Sequence, residues 1–358
     1  MNEQHVSGRV TIDLGALQAN YRTLAAMASK AETGAAIKAD AYGLGLAPCA
    51  TALWAAGCRS FFVARPLEGE ELRAVLPEAA IYVLDGLYTG QADYYLQHRL
   101  IPSLISIEET REWAAKGQGA PCALHVDSGI NRVSLSFDEF AAVVAEKLPL
   151  NVTLLMSHLA SSEEPENAFN ETQRQRFAKA RALLPNVRAS LANSSGHYLG
   201  EGFMFHLTRA GVALYGGNPS PGKPNPMRPV VKLEARVMQV RAVPKGEATG
   251  YNSTWRAVRD SKIALLGAGY RDGIPRRMSS VFGGKAQVSI NGQLCPIVGK
   301  VSMDMVAVDV TDAKVQRGDW AEFFGPNIAL DDAATSAGTI SWELLTHLGN
   351  RYARNYLT

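Results

Sequence analysis

The stretch AAIKADAYGLG, residues 35–45, has the pattern of a buried strand that ends in a tight turn, with Lys38 at the junction. Similar short apolar runs follow it, namely SFFVAR, AIYVLD, LIPSLIS, CALHVDS, LLMSHLA, RASLANS and ALYGG. Amphipathic segments such as SIEETREWAAKG lie between them, with acidic starts and basic ends that suit a helix. Because parallel strands need a crossover between them, this alternation predicts a (β/α)8 barrel. A doubly wound open sheet is the alternative.

Two segments do not fit the repeating units. RVTIDLGALQANYRTLA precedes the first unit and would add a ninth strand, so we expect its strand to leave the barrel and join another element. After the Pro/Gly-rich stretch NPSPGKPNPMRP, residues 218–229, the pattern changes to strand-like alternation. Asn291-Gly292 is a strong hairpin signal there. We therefore predict a barrel over residues 10–228 and a mostly β domain over residues 229–358.

Composition excludes several classes of protein. The 358 residues are 47% hydrophobic with a formal net charge of only +2, so an extended nucleic-acid-binding surface is not expected. The polar N-terminus lacks the apolar core of a signal peptide, and no apolar run approaches the roughly 20 residues that span a bilayer. The histidines lack HExxH spacing and no CxxC pair occurs, so no metal site is predicted. The scattered cysteines are Cys49, Cys58, Cys122 and Cys295, which favours a reduced, cytoplasmic protein.

Polar residues collect where the predicted strands end, which is where barrel enzymes carry their chemistry. They are Lys38, Tyr42, Arg132, His158, Asn193, Ser194, Gly196, Arg209 and Gly211. No carboxylate pair dominates, which argues against glycoside hydrolysis. Each residue alone has a structural explanation: a lysine can extend to water, arginines form ion pairs, and an Asn-Ser-Ser-Gly run is usually a turn.

Taken together, these strand-end residues suggest one cofactor. Small polar residues and glycines after the seventh and eighth strands match the usual phosphate site of barrel enzymes. Lys38, on the first strand, would face that site across the barrel mouth and could form a Schiff base. A phosphate anchor with such a lysine points to pyridoxal 5′-phosphate (PLP). Arg209 is the candidate partner for the pyridine nitrogen, since no acidic residue lies at the strand ends.

Five segments in order resemble the motifs of bacterial alanine racemases, over nearly the whole chain. The segments are AAIKADAYGLG, VDSGINR, TRAGVALYG, GAGYRDGIPRR and GKVSMDM. The resemblance implies a (β/α)8 PLP-binding barrel followed by a mostly β C-terminal domain, which the N-terminal strand within residues 1–14 joins. It also implies a homodimer with shared active sites, acting on a small amino acid.

The resemblance also implies the site residues. Lys38 holds PLP as a Schiff base and serves as the base on one face of the substrate Cα, and the partner subunit's Tyr270 serves the other face. Two opposed bases suit racemisation, because a proton leaves one face and returns on the other. The further cofactor-binding residues implied are Tyr42, Leu84, His158, Asn193, Ser194, Arg209, Gly211 and Val212. The substrate-binding residues implied are Arg132, Met303, Asp304 and Tyr251.

Two positions depart from the family pattern. His125 stands where the family often has a lysine, which is carbamylated in some members, so the orientation of Arg132 must depend on a different anion or on a direct hydrogen bond. Asn350 stands where some members have a tyrosine that reaches the phosphate, and Tyr352 or Tyr356 are the alternatives.

The sequence therefore predicts an alanine racemase that interconverts L- and D-alanine and supplies D-alanine for peptidoglycan. Strict specificity for alanine against serine or a broader set stays open, as does a biosynthetic or catabolic role. Three other functions compete: a non-catalytic PLP-binding barrel protein, a fold-related PLP decarboxylase, and a lysine-dependent aldolase without PLP. The segment after residue 229 and Tyr270 argue against the non-catalytic barrel protein. GYRDGIPRR argues against the decarboxylase, and Arg209 argues against the aldolase.

Overall fold

A computed structural model describes residues 5–283 and 285–358 of the chain. The chain divides into two compact units. One unit contains the N-terminal residues up to 16 together with residues 215–217 and 228–358, and the other contains residues 17–214 and 218–227.

The chain begins with a strand and a helix, β1 (Gly8–Asp13) and α1 (Leu14–Met27). Side chains of β1 alternate between fully and partly buried, as expected of a strand with one face on a core. The Asp13 carboxylate accepts a hydrogen bond of 2.7 Å from the backbone N–H of Ala16 and so satisfies a donor in the first turn of α1.

Eight parallel strands form the barrel of the second unit, which is the one that contains residues 17–214. They are β2 (Glu32–Ala36), β3 (Ser60–Val63), β4 (Ala80–Val83), β5 (Ile101–Leu104), β6 (Pro121–His125), β7 (Asn151–Met156), β8 (Arg188–Ser190) and β9 (Leu207–Ala210). Their order is β8-β7-β6-β5-β4-β3-β2-β9. The backbone N–H groups of His206 and Arg209 donate to the carbonyls of Ala189 (3.0 Å) and Ala192 (2.9 Å), which brings β9 against β8. The predicted barrel is confirmed, and the open sheet is wrong.

Helices alternate with the barrel strands. They are α2 (Lys38–Gly43), α3 (Leu46–Ala55), α4 (Pro66–Val75), α5 (Ala92–Gln97), α6 (Ile107–Lys116), α7 (Phe137–Glu146) and α8 (Phe169–Leu183). Ser106 caps α6 through the N–H of Glu109, and Ser136 and Glu139 form a capping box on α7. Apolar side chains fill the barrel interior, where the rings of Phe62 and Tyr82 stack with centroids 4.8 Å apart.

One strand assignment from the sequence is wrong. The apolar run ALYGG predicts the eighth barrel strand, but that strand is Leu207–Ala210, and a 3-10 helix covers Val212–Tyr215. Ala213, Leu214 and Tyr215 are fully buried, which explains their apolar character. A short apolar run does not distinguish a strand from a buried helical turn.

The first unit is mostly β. Its further strands are β10 (Val231–Val243), β11 (Ala248–Thr249), β12 (Trp255–Arg256), β13 (Ser261–Leu266), β14 (Gln287–Ile290), β15 (Gln293–Val298), β16 (Val306–Asp309), β17 (Trp320–Phe324) and β18 (Ala353–Leu357). The large sheet has the order β13-β16-β15-β14-β17-β10-β1-β18, in which β1 lies antiparallel to β10 and parallel to β18. The N-terminal strand β1 is therefore part of this sheet.

Short elements complete this unit. Helices α9 (Leu330–Ser336) and α10 (Ser341–Thr346) precede β18. The hairpin at Asn291 (φ 52°) and Gly292 (φ 79°) joins β14 to β15, with the positive φ angles that its Asn-Gly sequence predicts. Further 3-10 helices along the chain are Ser195–Leu199, Glu201–Phe203, Tyr251–Ser253, Tyr270–Asp272, Arg276–Met278 and Ser280–Phe282.

The described residues contain neither a membrane-spanning helix nor a metal-binding cluster. Within residues 5–283 and 285–358, no helix is both long and apolar enough to cross a bilayer. Over the same ranges, no group of three or more His, Cys, Asp or Glu side chains is arranged to hold a metal ion.

Candidate active site

Lys38 begins a segment with an unusual backbone. From Ala39 to Tyr42 the φ angles lie between 53° and 55°, so four consecutive residues other than glycine adopt the left-handed conformation. Such a conformation costs roughly 1–2 kcal/mol per L-residue. Strain of this size persists only where surrounding contacts impose it, and it is commonly found at functional sites.

Two carboxylates hold this left-handed segment. Glu68 accepts the backbone N–H of Ala39 at 2.7 Å, and its other oxygen accepts those of Ala64 (2.7 Å) and Arg65 (3.1 Å). Asp40 accepts the N–H of Leu46 at 2.6 Å and so ties the segment to the start of α3. The hydrogen bonds of Glu68 thereby connect the Lys38–Ala39 peptide to the loop between β3 and α4.

The Lys38 amine is half-buried where β2 ends. Burial lowers its pKa, and the neighbouring Arg132 cation lowers it further, against a smaller opposing effect of Asp85 and Glu68. A lowered pKa leaves more of the amine neutral at physiological pH, and the neutral amine is the nucleophilic form.

Arg209, on β9, is buried and has several acceptors. Its guanidinium donates to the backbone carbonyl (3.0 Å) and hydroxyl (2.6 Å) of Ser190 and to the carbonyl of Ser157. It also lies 3.4 Å from Nδ1 of His158. Burial, with a contribution from Arg132, lowers the pKa of Arg209 to about 10, so the group stays cationic near neutral pH. The structure thus brings Arg209 and His158 together.

Two histidine rings share this part of the barrel with the arginines. Burial lowers the pKa of His125 to about 3, and Arg209 and Arg132 add to the shift. Burial likewise lowers the pKa of His158 well below its ordinary value, with Arg209 and Arg132 contributing. Both rings are therefore neutral near pH 7, and they add no positive charge beside the arginines.

Arg132 lies in a loop that closes directly after β6. The N–H of Leu135 donates to the His125 carbonyl at 2.8 Å, and the N–H of Asp127 donates to the Leu135 carbonyl at 2.7 Å. Arg132 itself is exposed. Since Arg132 influences the pKa values of Lys38, Arg209 and both histidines, its cation lies within electrostatic reach of all of them.

Three of the predicted phosphate-binding residues converge. The Ser194 hydroxyl accepts the backbone N–H groups of Gly211 (2.8 Å) and Ala213 (3.2 Å). A Cβ on Gly211 would lie 2.6 Å from the hydroxyl oxygen of Tyr42 and would displace that hydroxyl. Burial raises the pKa of Tyr42 to about 12, which keeps its hydroxyl protonated and able to donate.

The remaining barrel residues lie beside this cluster or near it. The side chain of Asn193 accepts the N–H of Gly196 (2.9 Å) and the hydroxyl of Ser162 (3.0 Å), and so shapes the turn that carries Ser194. Val212 begins the 3-10 helix after Gly211. Leu84 is half-buried and packs, like Tyr42, against the apolar residues inside the barrel.

The four other predicted residues lie in the mostly β unit. Tyr270 begins a 3-10 helix, and its N–H donates to the Ser302 carbonyl at 3.0 Å, which places it beside the segment of Met303 and Asp304. Tyr270 and Met303 are 43% and 52% exposed. Tyr251 begins a separate 3-10 helix and is also exposed.

The residues that support these groups are not among those predicted from the sequence. Glu68, Ser157 and Ser190 hold Lys38 or Arg209, and Arg351 holds the segment after Tyr270. The acidic residue three positions after Arg65, in RPLEGEE, was a signal for a carboxylate at a helix start. Nothing in the sequence pairs Arg351 with a residue 79 positions away.

Comparison with known proteins identifies the family. The model of the alanine racemase N-terminal domain matches residues 12–219, and that of the alanine racemase C-terminal domain matches residues 230–356. The chain belongs to the alanine racemase family. It is 48% identical over 358 residues to an alanine racemase of Methylobacterium sp. strain 4-46, covering 98% of this chain and 97% of that protein.

A solved alanine racemase has the same architecture. The crystal structure of the Bartonella henselae alanine racemase with covalently bound pyridoxal phosphate superimposes with a TM-score of 0.94 and 39% identity. The match covers 98% of this chain and 99% of that chain. The family resemblance and fold predicted from the sequence are therefore confirmed.

Proposed function

We propose that this chain is a PLP-dependent alanine racemase that interconverts L- and D-alanine. The observation that carries the proposal is that one barrel contains both the Lys38 amine, whose pKa is lowered, and the buried Arg209 guanidinium. Membership of the alanine racemase family supports the substrate, a small amino acid. The D-alanine product would supply peptidoglycan synthesis.

The barrel residues fit PLP. A phosphate needs hydrogen-bond donors, and Tyr42 and Ser194 would provide hydroxyl groups and Val212 its backbone N–H. Gly211 lies between them without a Cβ, and its N–H orients the Ser194 hydroxyl. Lys38 would hold the cofactor covalently, Arg209 would meet the ring nitrogen, and Leu84 and Asn193 would border it. When bound, PLP supplies an electron sink that eases removal of the Cα proton.

The chain's own groups then divide the proton transfers. Lys38 would take the proton from one face of the substrate Cα as a neutral amine and return a proton to that face as the ammonium. Arg209 keeps its proton, because even with its lowered pKa it is cationic at neutral pH. His158, as a neutral ring, accepts from Arg209 rather than opposing its charge. Arg132 offers a cation to the substrate carboxylate.

We propose that a homodimer completes the site. The partner subunit's Tyr270 would act on the opposite face of Cα, while the partner's Met303 and Asp304 would meet the substrate carboxylate and the partner's Tyr251 would line the approach. Exposure of Tyr270, Met303 and Tyr251 in the single chain supports this assignment, because these large side chains are available to a second subunit.

We propose residues 10–228 and 229–358 as the two domains, with the N-terminal strand added to the second, which agrees with the pairing of β1 with β10 and β18. A cytoplasmic location is supported by four cysteines that are all free and buried.

Replacement of Lys38 tests the proposed function. The wild-type protein with PLP should convert L-alanine in deuterated water into D-alanine that carries deuterium at Cα. Lys38→Ala should lose the absorbance of the bound cofactor and at least about a thousandfold in rate, because both the covalent anchor and one base are removed.

Lys30→Ala is the matched control, since Lys30 is an exposed lysine of the same unit that pairs with Glu201. It should keep both the absorbance and the rate. Full turnover by Lys38→Ala, or a wild-type protein that binds PLP without exchanging the Cα hydrogen of alanine, would overturn the assignment.

A further inference from the structure

Arg351 bridges two carboxylates in the mostly β unit. Its Nε and Nη2 donate side-on to the two oxygens of Asp272, at 2.6 and 2.7 Å. Its Nη1 donates to an oxygen of Asp304 at 2.8 Å. One guanidinium thus uses three nitrogens to join two acidic residues that are distant in sequence.

Each of these carboxylates belongs to a segment with a proposed role. Asp272 ends the 3-10 helix that Tyr270 begins, and its Oδ2 also accepts the N–H of Gly269 at 2.9 Å. Asp304 directly follows Met303. Arg351 therefore acts at the same time on the segment that carries the proposed second base and on the segment proposed to meet the substrate carboxylate.

The two segments lie against each other without a gap. The N–H groups of Tyr270 and Arg271 donate to the carbonyls of Ser302 and Met303, both at 3.0 Å. A Cβ on Gly269 would lie 2.3 Å from the Ser302 carbonyl and 2.4 Å from that of Met303, so the contact requires glycine. A shift of either segment therefore moves the other.

The loop that contains Arg351 also binds Asp272 through its backbone. The N–H of Gly349 donates to the Asp272 carbonyl at 3.1 Å, so both the backbone and the side chain of this loop bind Asp272. The Asp272 side chain is only 5% exposed, and without Arg351 it would be a buried carboxylate lacking its cation. A lysine could not replace the two parallel bonds of the planar guanidinium.

We propose that Arg351 is a positioning residue that holds the backbone of Tyr270 in register with that of Met303 and Asp304. The proposal rests on the proposed function, in which Tyr270 is the second base. Proton transfer needs the phenol oxygen close to Cα, and a displacement of about 1 Å costs on the order of a hundredfold in rate. Lys38, the proposed base on the other face of Cα, lies in the other unit and belongs to neither of these segments.

The test is hydrogen exchange at Cα by the holoenzyme in single turnovers, measured separately from L- and D-alanine in deuterated water. Tyr270→Phe defines which enantiomer depends on Tyr270. Arg351→Met should slow exchange from that same enantiomer by about tenfold or more and from the other by less than about threefold. Arg351→Lys keeps a charge beside Asp272 and should show the same asymmetry to a smaller extent.

Arg259→Met is the matched control, because it breaks an exposed arginine–aspartate pair, with Asp312, in the same unit. It should leave both exchange rates unchanged. If Tyr270→Phe is asymmetric but both Arg351 variants slow the two enantiomers equally, or match the control, the positioning role is refuted and the second base stands. If Tyr270→Phe itself is symmetric, the two-base assignment fails and the role of Arg351 fails with it. Should Arg351→Met not fold, Arg351→Lys decides by the same criterion.

Discussion

His125 is the last residue of the barrel strand β6. Its ring is buried at the end of β6, and neither ring nitrogen has a hydrogen-bond partner within the described residues. Over the same residues, the Arg132 guanidinium makes no hydrogen bond to the ring, so the direct bond considered from the sequence is not present. What lies beside Arg132 instead is an uncharged ring, held neutral by burial and by two arginines.

The neutral state of His125 predicts a dependence of stability on pH. In the unfolded chain a histidine takes up a proton below about pH 6.5, whereas His125 in the folded chain stays neutral down to about 3. Between these values the unfolded state binds more protons, so the free energy of unfolding falls as the pH falls through this window. At pH 5 the loss from His125 should be about 2 kcal/mol relative to pH 7, and His158 acts in the same direction.

Urea denaturation at pH 7 and pH 5 measures this effect. His125→Asn has no titrating ring and should lose less stability between the two values than the wild type. The exposed His347→Asn serves as the control and should follow the wild type. A His125→Asn protein whose stability falls as steeply as that of the wild type would contradict the assignment of a neutral buried ring.

At the scale of elements, the left-handed segment of α2 depends on Glu68. The cost of four left-handed residues has to be offset by contacts. The Glu68 carboxylate accepts the N–H of Ala39, where the segment begins, and those of Ala64 and Arg65 in the loop after β3. A carboxylate serves all three donors because both of its oxygens accept, whereas a glutamine amide offers one acceptor and two donors.

Glu68→Gln should therefore loosen the backbone of Lys38. We expect a loss of about 1–3 kcal/mol in the free energy of unfolding, since at least one N–H loses its acceptor. The affinity for PLP, followed by absorbance titration, should fall in parallel because the anchor lysine is less well placed. Glu71→Gln changes an exposed glutamate of the same helix and should alter neither quantity. Equal PLP affinity in the two variants would show that Glu68 does not hold the lysine.

At the scale of the whole molecule, the proposed shared sites predict complementation between inactive subunits. Lys38→Ala and Tyr270→Phe each disable every site in their own homodimers. In a mixed dimer one site receives both substitutions and the other receives neither, so full exchange should restore about one quarter of the wild-type rate.

Activity after unfolding and refolding the two variants together measures this recovery. Mixing Lys38→Ala with the double variant Lys38→Ala/Tyr270→Phe is the control and should restore nothing, because no intact site forms. If mass measurements show mixed dimers but the rate does not rise, each subunit must carry its own complete site.

Local patterns in the sequence determined the architecture of this protein. Apolar runs that alternate with amphipathic helices predicted the barrel, and Asn291-Gly292 predicted a hairpin in the mostly β unit. Both followed from the sequence because strand, helix and turn preferences act over a few residues. Clustering of Tyr42, Ser194 and Gly211 also followed from the sequence, since parallel strands place their carboxyl ends at one mouth.

Only the tertiary structure decided the details that support the chemistry. Local patterns did not predict the left-handed turn after Lys38, the neutral ring of His125 or the eighth strand at Leu207–Ala210. Nor did they predict the hydrogen bonds of Glu68 to Ala39 and of Arg351 to Asp272. Each depends on groups far apart in the chain that meet after folding. Burial, charge proximity and steric fit then set the pKa, the backbone conformation and the partner, and none of these is encoded within the span of a single motif.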